Sequence, residues 1–142
     1  MDDTIELLKE CSSGCKMAIN SMDEMIDDMP SGNLMEAIKK SKQEHQKIES
    51  KIARILAKDG FCEEEPGAIA SAFSWMTSKM KLMIHDDENQ VAKLMMDGCN
   101  MGIQSITEKM HEYKNASKES QDIAKDLVKH EEDFQEELKK YL

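Results

Sequence analysis

The stretches Ser13-Gly14-Cys15-Lys16-Met17-Ala18-Ile19-Asn20-Ser21 and Asp97-Gly98-Cys99-Asn100-Met101-Gly102-Ile103-Gln104-Ser105 share the frame Gly-Cys-x-Met-x-Ile-x-Ser, displaced by 84 residues, and Glu24 matches Glu108 at the same displacement. A chain of 142 residues has room for one domain with a real core and not for two ordinary ones. The repeat is therefore expected to lie inside one domain, residues 1–142, as two copies of a hairpin at about 2–59 and 86–142 joined by a crossover at 60–85.

The pattern around each copy is helical. Asp3 and Glu6 form a possible capping box, followed by apolar residues at Ile5, Leu8, Cys11, Cys15, Ile19, Met22, Ile26 and Met29, steps of three and four. Pro30-Ser31-Gly32 breaks this segment. Asn33 and Glu36 can then cap a second helix with the stripe Leu34, Ile38, Ser41, His45, Ile48, Ile52 and Ile55. After Gly60, an acidic connection leads to Pro66 and a shorter stripe of Ile69, Phe73, Met76, Met80 and Met83, predicted to be a crossover helix. Asp87 with Gln90 caps a third long helix, with Ala92, Met95, Cys99, Ile103, Ile106, Met110 and Tyr113 on one face; Ser117 caps a fourth, with Ile123, Leu127, His130, Phe134, Leu138 and Tyr141. The expected fold is an all-α four-helix bundle with one long crossover, in which the first and third helices run in opposite directions.

Charge and composition narrow the function. A net charge of −10 with no Lys/Arg cluster argues against nucleic-acid phosphate and anionic membrane partners. The N-terminal MDDTIELLKE is acidic where a secretory signal is basic and then apolar, and no run of about 18 apolar residues occurs, so a reducing cytoplasm is the expected compartment. There the four cysteines read as free thiols or metal ligands. No phosphate loop, Ser-His-Asp order or zinc-protease motif nominates a hydrolase or nucleotide enzyme.

Counting places the chemistry-bearing residues at one depth. Cys15 and His45 are centred on residue 30 at the first turn, and Cys99 and His130 on the point between Lys114 and Asn115 at the second. Each pair then lies about 18–24 Å from its turn at 1.5 Å per residue. A pseudo-two-fold between hairpins brings the pairs together. Two thiolates and two neutral imidazoles would neutralise a divalent ion in a tetrahedral site, with Zn(II) the first choice. Cys11 and Met95 lie one turn from Cys15 and Cys99, and soft sulfur keeps copper or an iron–sulfur cluster as alternatives. Glu49, one turn from His45, can orient a ligand or join the site.

The two Gly-Cys phrases, with the crossover Ala72-Phe73-Ser74-Trp75-Met76, resemble the ferritin-like four-helix bundles, in particular small bacterial domains of unknown function with a helical crossover. In metal-binding members a Glu from each of the first and third helices is a ligand. Here Cys15 and Cys99 stand at those positions. The family's Glu-x-x-His is absent, since Lys42 precedes His45 and Leu127 precedes His130 by three residues. The resemblance thus implies the bundle and a metal layer, while the missing carboxylates argue against di-iron oxygenase or ferroxidase chemistry.

Three functions stay open: a metal-binding protein of electron-transfer, storage or sensing type; a thiol redox switch using Cys15 and Cys99; and a structural or interaction module in which the same residues only pack. A homodimer is compatible with each. Most of the methionines read as core, His85 and His111 as solvated, and Cys62 as an incidental loop thiol.

Overall fold

Side-chain oxygens set three of the four long helix starts in the computed structural model, which describes residues 2–61, 79 and 87–142. Helix α1 (Asp3–Asp28) begins one residue before the expected box: the Thr4 N–H donates to Asp2 Oδ1 at 2.8 Å. Helix α2 (Asn33–Lys58) starts after Gly32 with no side-chain cap, so Asn33 is its first helical residue and not its cap. Helix α3 (Glu88–Glu112) is capped as expected, Asp87 Oδ1 accepting from Asn89 N–H at 3.0 Å and Gln90 N–H at 3.3 Å. Helix α4 (Lys118–Leu138) has the expected Ser117, whose Oγ accepts from the Ser120 N–H at 3.1 Å, and a short 3-10 turn follows at Lys139–Tyr141. Just past the end of α2, Gly60 takes φ 78°, a left-handed conformation that costs a residue with a Cβ; there the Gly60 N–H donates to Ala57 O and the Phe61 N–H to Leu56 O, closing the helix end.

The direction of packing follows from two hydrogen bonds. The Asn115 N–H donates to Asp3 Oδ2 at 3.1 Å, and the Ser117 N–H to Thr4 Oγ1 at 2.8 Å. The start of α1 therefore sits on the α3–α4 turn, and α1 and α3 are antiparallel. α1 packs chiefly on α2, α3 on α4, and the hairpins meet through α1 with α3 and α2 with α4, a four-helix bundle. α2 ends at the end of the bundle where α1 begins, and α3 begins at the opposite end. The predicted crossover helix, its stripe from Ile69 to Met83, the Ala72–Met76 phrase, Cys62 and His85 lie outside the described residues.

The core extends the internal repeat. On the first helix of each hairpin the displacement of 84 carries buried Leu7 to Val91, Leu8 to Ala92, Cys11 to Met95, Cys15 to Cys99 and Met22 to Ile106. On the second helix it becomes 86: buried Leu34, Ile38, Ser41, His45 and Ile52 correspond to buried Ser120, Ala124, Leu127, Glu131 and Leu138. The inward stripe of α4 therefore runs through Glu131, and His130 turns to its flank. Ile19 and Ile103, placed on the inward stripes by periodicity, are half-buried. Among the described residues, no helix is long and apolar enough to cross a membrane.

Candidate metal centre

His45 is wholly buried at mid-length of α2. Its Nδ1 lies 2.8 Å from the carbonyl oxygen of Ser41, one turn earlier, and 3.5 Å from the Ser41 hydroxyl; its Nε2 contacts Glu131 Oε1 across the bundle. A neutral ring donating through Nδ1 would aim an Nε2 lone pair at a carboxylate, whereas an imidazolium donates to both acceptors. Burial works against that charge, but the Glu131 charge and hydrogen bond, the Ser41 carbonyl and the Glu44 charge outweigh it and hold the His45 pKa above its ordinary 6.5.

Cys99 meets this pair from α3, and Cys15 on α1 lies within electrostatic range of Glu131. Burial, then the charge and hydrogen bond of Glu131, push the Cys99 thiol far up. Burial also raises Cys15, with Cys11, Glu131 and Glu49 adding to it. Cys11 is pushed up to about 12 by burial and by Glu10. Glu49 is half-buried and accepts from the Ser12 hydroxyl at 3.3 Å, and Met95 is buried one turn from Cys99. His45, Cys99, Met95 and Glu131 line one small cavity, and buried Cys15 lies within electrostatic range of Cys11, Glu131 and Glu49.

His130 does not join them. Its side chain is 35% exposed and its Nε2 lies 3.8 Å from Glu44 Oε2, on the α2–α4 face. Glu131 takes the inward place, 7% exposed, with its carboxylate between His45 and Cys99. Steps of three and four fit Leu127–His130–Phe134 and Leu127–Glu131–Phe134 equally well, and a lone Glu reads as a surface residue. What separates them is tertiary: the Glu131 carboxylate meets the buried His45 Nε2 across the bundle, a contact that no single segment of sequence shows.

The neighbouring helix accommodates this carboxylate. A Cβ on Gly102 would come 3.3 Å from Glu131 Oε2, and the residue matching Gly102 in the first hairpin is Ala18. The repeated small residues Gly14, Ala18 and Ser21 on α1 and Gly98, Gly102 and Ser105 on α3 line a cavity of about 30 Å³ that reaches His45, Cys99 and Glu131. Such a space holds a water or two or one ion, and no organic substrate. Among the described residues, no three His, Cys, Asp or Glu side chains stand as a ready metal site. The carboxylate lies directly on the imidazole, and the thiols are held protonated.

A pH dependence follows. With its folded pKa above 6.5, His45 contributes stability fully present below that value and lost as pH rises through the raised one. The buried thiols act with the same sign: unfolded, they ionise near 9.0, whereas folded Cys11 keeps its proton to about 12. The metal-free protein is expected to lose stability on alkalinisation in two stages, the first absent from a His45→Leu/Glu131→Leu protein. Urea midpoints across the neutral and alkaline range measure this, and a profile rising through the first window would contradict the assignment.

The chain matches no protein-family model, no curated protein and no solved structure, so the ferritin-like resemblance rests on the quoted residues alone.

Proposed function

We propose that this protein binds one soft transition-metal ion in its mid-bundle layer, through Cys15, Cys99 and His45, with Glu131 in the role that sequence counting gave to His130. The observation that carries the reading is the seating of His45. Its Nδ1 is tied to a main-chain carbonyl, as in metal-binding imidazoles, and its Nε2, on the Glu131 carboxylate, belongs to a ring lining the cavity that Cys99 also lines. Zn(II) remains the first choice and copper the alternative. An iron–sulfur cluster is less well accommodated by a cavity of about 30 Å³. Antiparallel α1 and α3 and a connection between opposite bundle ends support the ferritin-like reading, and a reducing cytoplasm would keep the thiols available.

Binding requires deprotonation. To hold an ion, His45 and Glu131 would have to give up their direct contact, the imidazole its Nε2 proton, and each thiol its own. Zinc uptake should therefore release about three protons and tighten steeply as pH rises. The test is anaerobic titration with Co(II) and Zn(II), reading thiolate-to-cobalt absorption and proton release. His130→Ala is expected to bind like the parent, and Glu131→Gln about ten- to a hundredfold more weakly. Equal binding by the parent and Cys15→Ser/Cys99→Ser would overturn the proposal.

A further inference from the structure

The Glu131 carboxylate has a different neighbour at each oxygen. Its Oε1 contacts His45 Nε2, and its Oε2 is the atom nearest to the Cβ that Gly102 lacks, 3.3 Å away, with Cδ and Cγ of the same side chain at 3.5 and 3.6 Å. The place a Cβ would fill on α3 therefore stands open beside the carboxylate, and Gly102, Glu131 and His45 line the same cavity of about 30 Å³. The backbone does not ask for glycine there. Gly102 lies within regular helix, and among the described residues only Gly60 takes a positive φ. Glycine inside a helix costs stability relative to alanine, and Ala18, the matching residue of the first hairpin, keeps its Cβ.

An ion changes the room that the carboxylate needs. Nitrogen and oxygen in a hydrogen bond lie about 2.9 Å apart, whereas two ligands each about 2.0 Å from one tetrahedral ion lie roughly 3.3 Å apart. The His45 ring is a poor source of the difference, because its Nδ1 is tied to the Ser41 carbonyl of its own helix. The carboxylate hangs on three rotatable bonds and has the open Cβ place on its other oxygen. We propose that Gly102 is a positioning residue of the metal layer: the space of its missing side chain receives the Glu131 carboxylate when the carboxylate draws back from His45 to share an ion with it. The inference rests on the metal-binding reading above. A Cβ at 3.3 Å is nearly accommodated while the carboxylate stays on the imidazole. A retreat of about 0.4 Å toward that Cβ would leave roughly 2.9 Å, closer than packed heavy atoms approach a Cβ. An added methyl thus acts on the ion-bound state and spares the metal-free one.

Anaerobic Zn(II) and Co(II) titrations of the reduced chain, with urea midpoints of the metal-free proteins, test this. Gly102→Ala is expected to weaken binding about tenfold and to retain thiolate-to-cobalt absorption at saturation. Its metal-free midpoint should equal or exceed the parent's, since alanine is the better helix former. Glu131→Asp shortens the side chain by one methylene and takes the carboxylate off Gly102, so adding Gly102→Ala to it should change Kd by less than about twofold. The same tenfold loss in both backgrounds would mean that the methyl disturbs helix packing and would overturn the proposal. An unchanged Kd in Gly102→Ala, or a metal-free midpoint that falls along with affinity, would overturn it too. If the parent binds no Zn(II), the metal-binding reading falls and this one with it. A tight-binding parent matched by Gly102→Ala removes only the role of Gly102.

Discussion

Glu131→Leu is expected to destabilise the metal-free protein by about 3–5 kcal/mol, while adding His45→Leu to it recovers most of the loss. The single change leaves an imidazole at 0% exposure with its Nε2 partner gone, next to thiols that are themselves protonated. The double change removes both polar groups and lets two leucines fill the layer, which for buried ion pairs is often neutral or better. Against a total stability of about 5–15 kcal/mol the single variant is severe. Urea denaturation of the parent, both single variants and the double variant closes the cycle. A Glu131→Leu protein within about 1 kcal/mol of the parent would mean that the pair is not a charged contact in solution.

Zinc should stabilise the reduced protein by about 2.7 kcal/mol at a hundredfold excess over Kd, and a chelator should return the melting temperature to its metal-free value where neutral salt does not. In Cys15→Ser/Cys99→Ser this increment should vanish, because a neutral hydroxyl neither binds the ion well nor balances its charge. Cys15→Glu/Cys99→Glu should retain binding but turn preference from Cu(I) toward harder ions and lose thiolate-to-metal absorption. Thermal melts under reductant, without oxygen, read all three. An equal rise in the double serine protein would place zinc elsewhere.

How far the sequence could lead is visible residue by residue. Cys15 and Cys99 announce themselves because their neighbours repeat with them, and depth counting across a short turn points to His45, which α2 buries completely. Asp87 and Ser117 follow capping rules, which act over a few residues and need no tertiary information. Asp3 was harder: with Asp2 beside it either can cap, and the choice is made by Asn115, 112 residues away, which takes Asp3 for itself. Glu131 escaped for a related reason. A carboxylate can be buried only when its partner is in place, and hydropathy describes one chain segment at a time. Only the contact across the bundle, His45 Nε2 on the Glu131 carboxylate, gives a charged residue its inward position.

The unequal pair at the centre also decides which half may associate with which. Duplicated hairpins with matching apolar stripes are, on shape alone, free to assemble with their own kind: first with first, second with second. Such like pairings would set imidazole against imidazole or carboxylate against carboxylate in a layer that water barely reaches. Joining unlike halves gives each buried charge its complement, and Gly102, where the first half keeps Ala18, leaves space for the carboxylate on one side only. A single acid–base contact thus makes a near-symmetric chain directional, rewarding union of its two different ends within one molecule or between exchanged copies, and opposing self-assembly of either end alone.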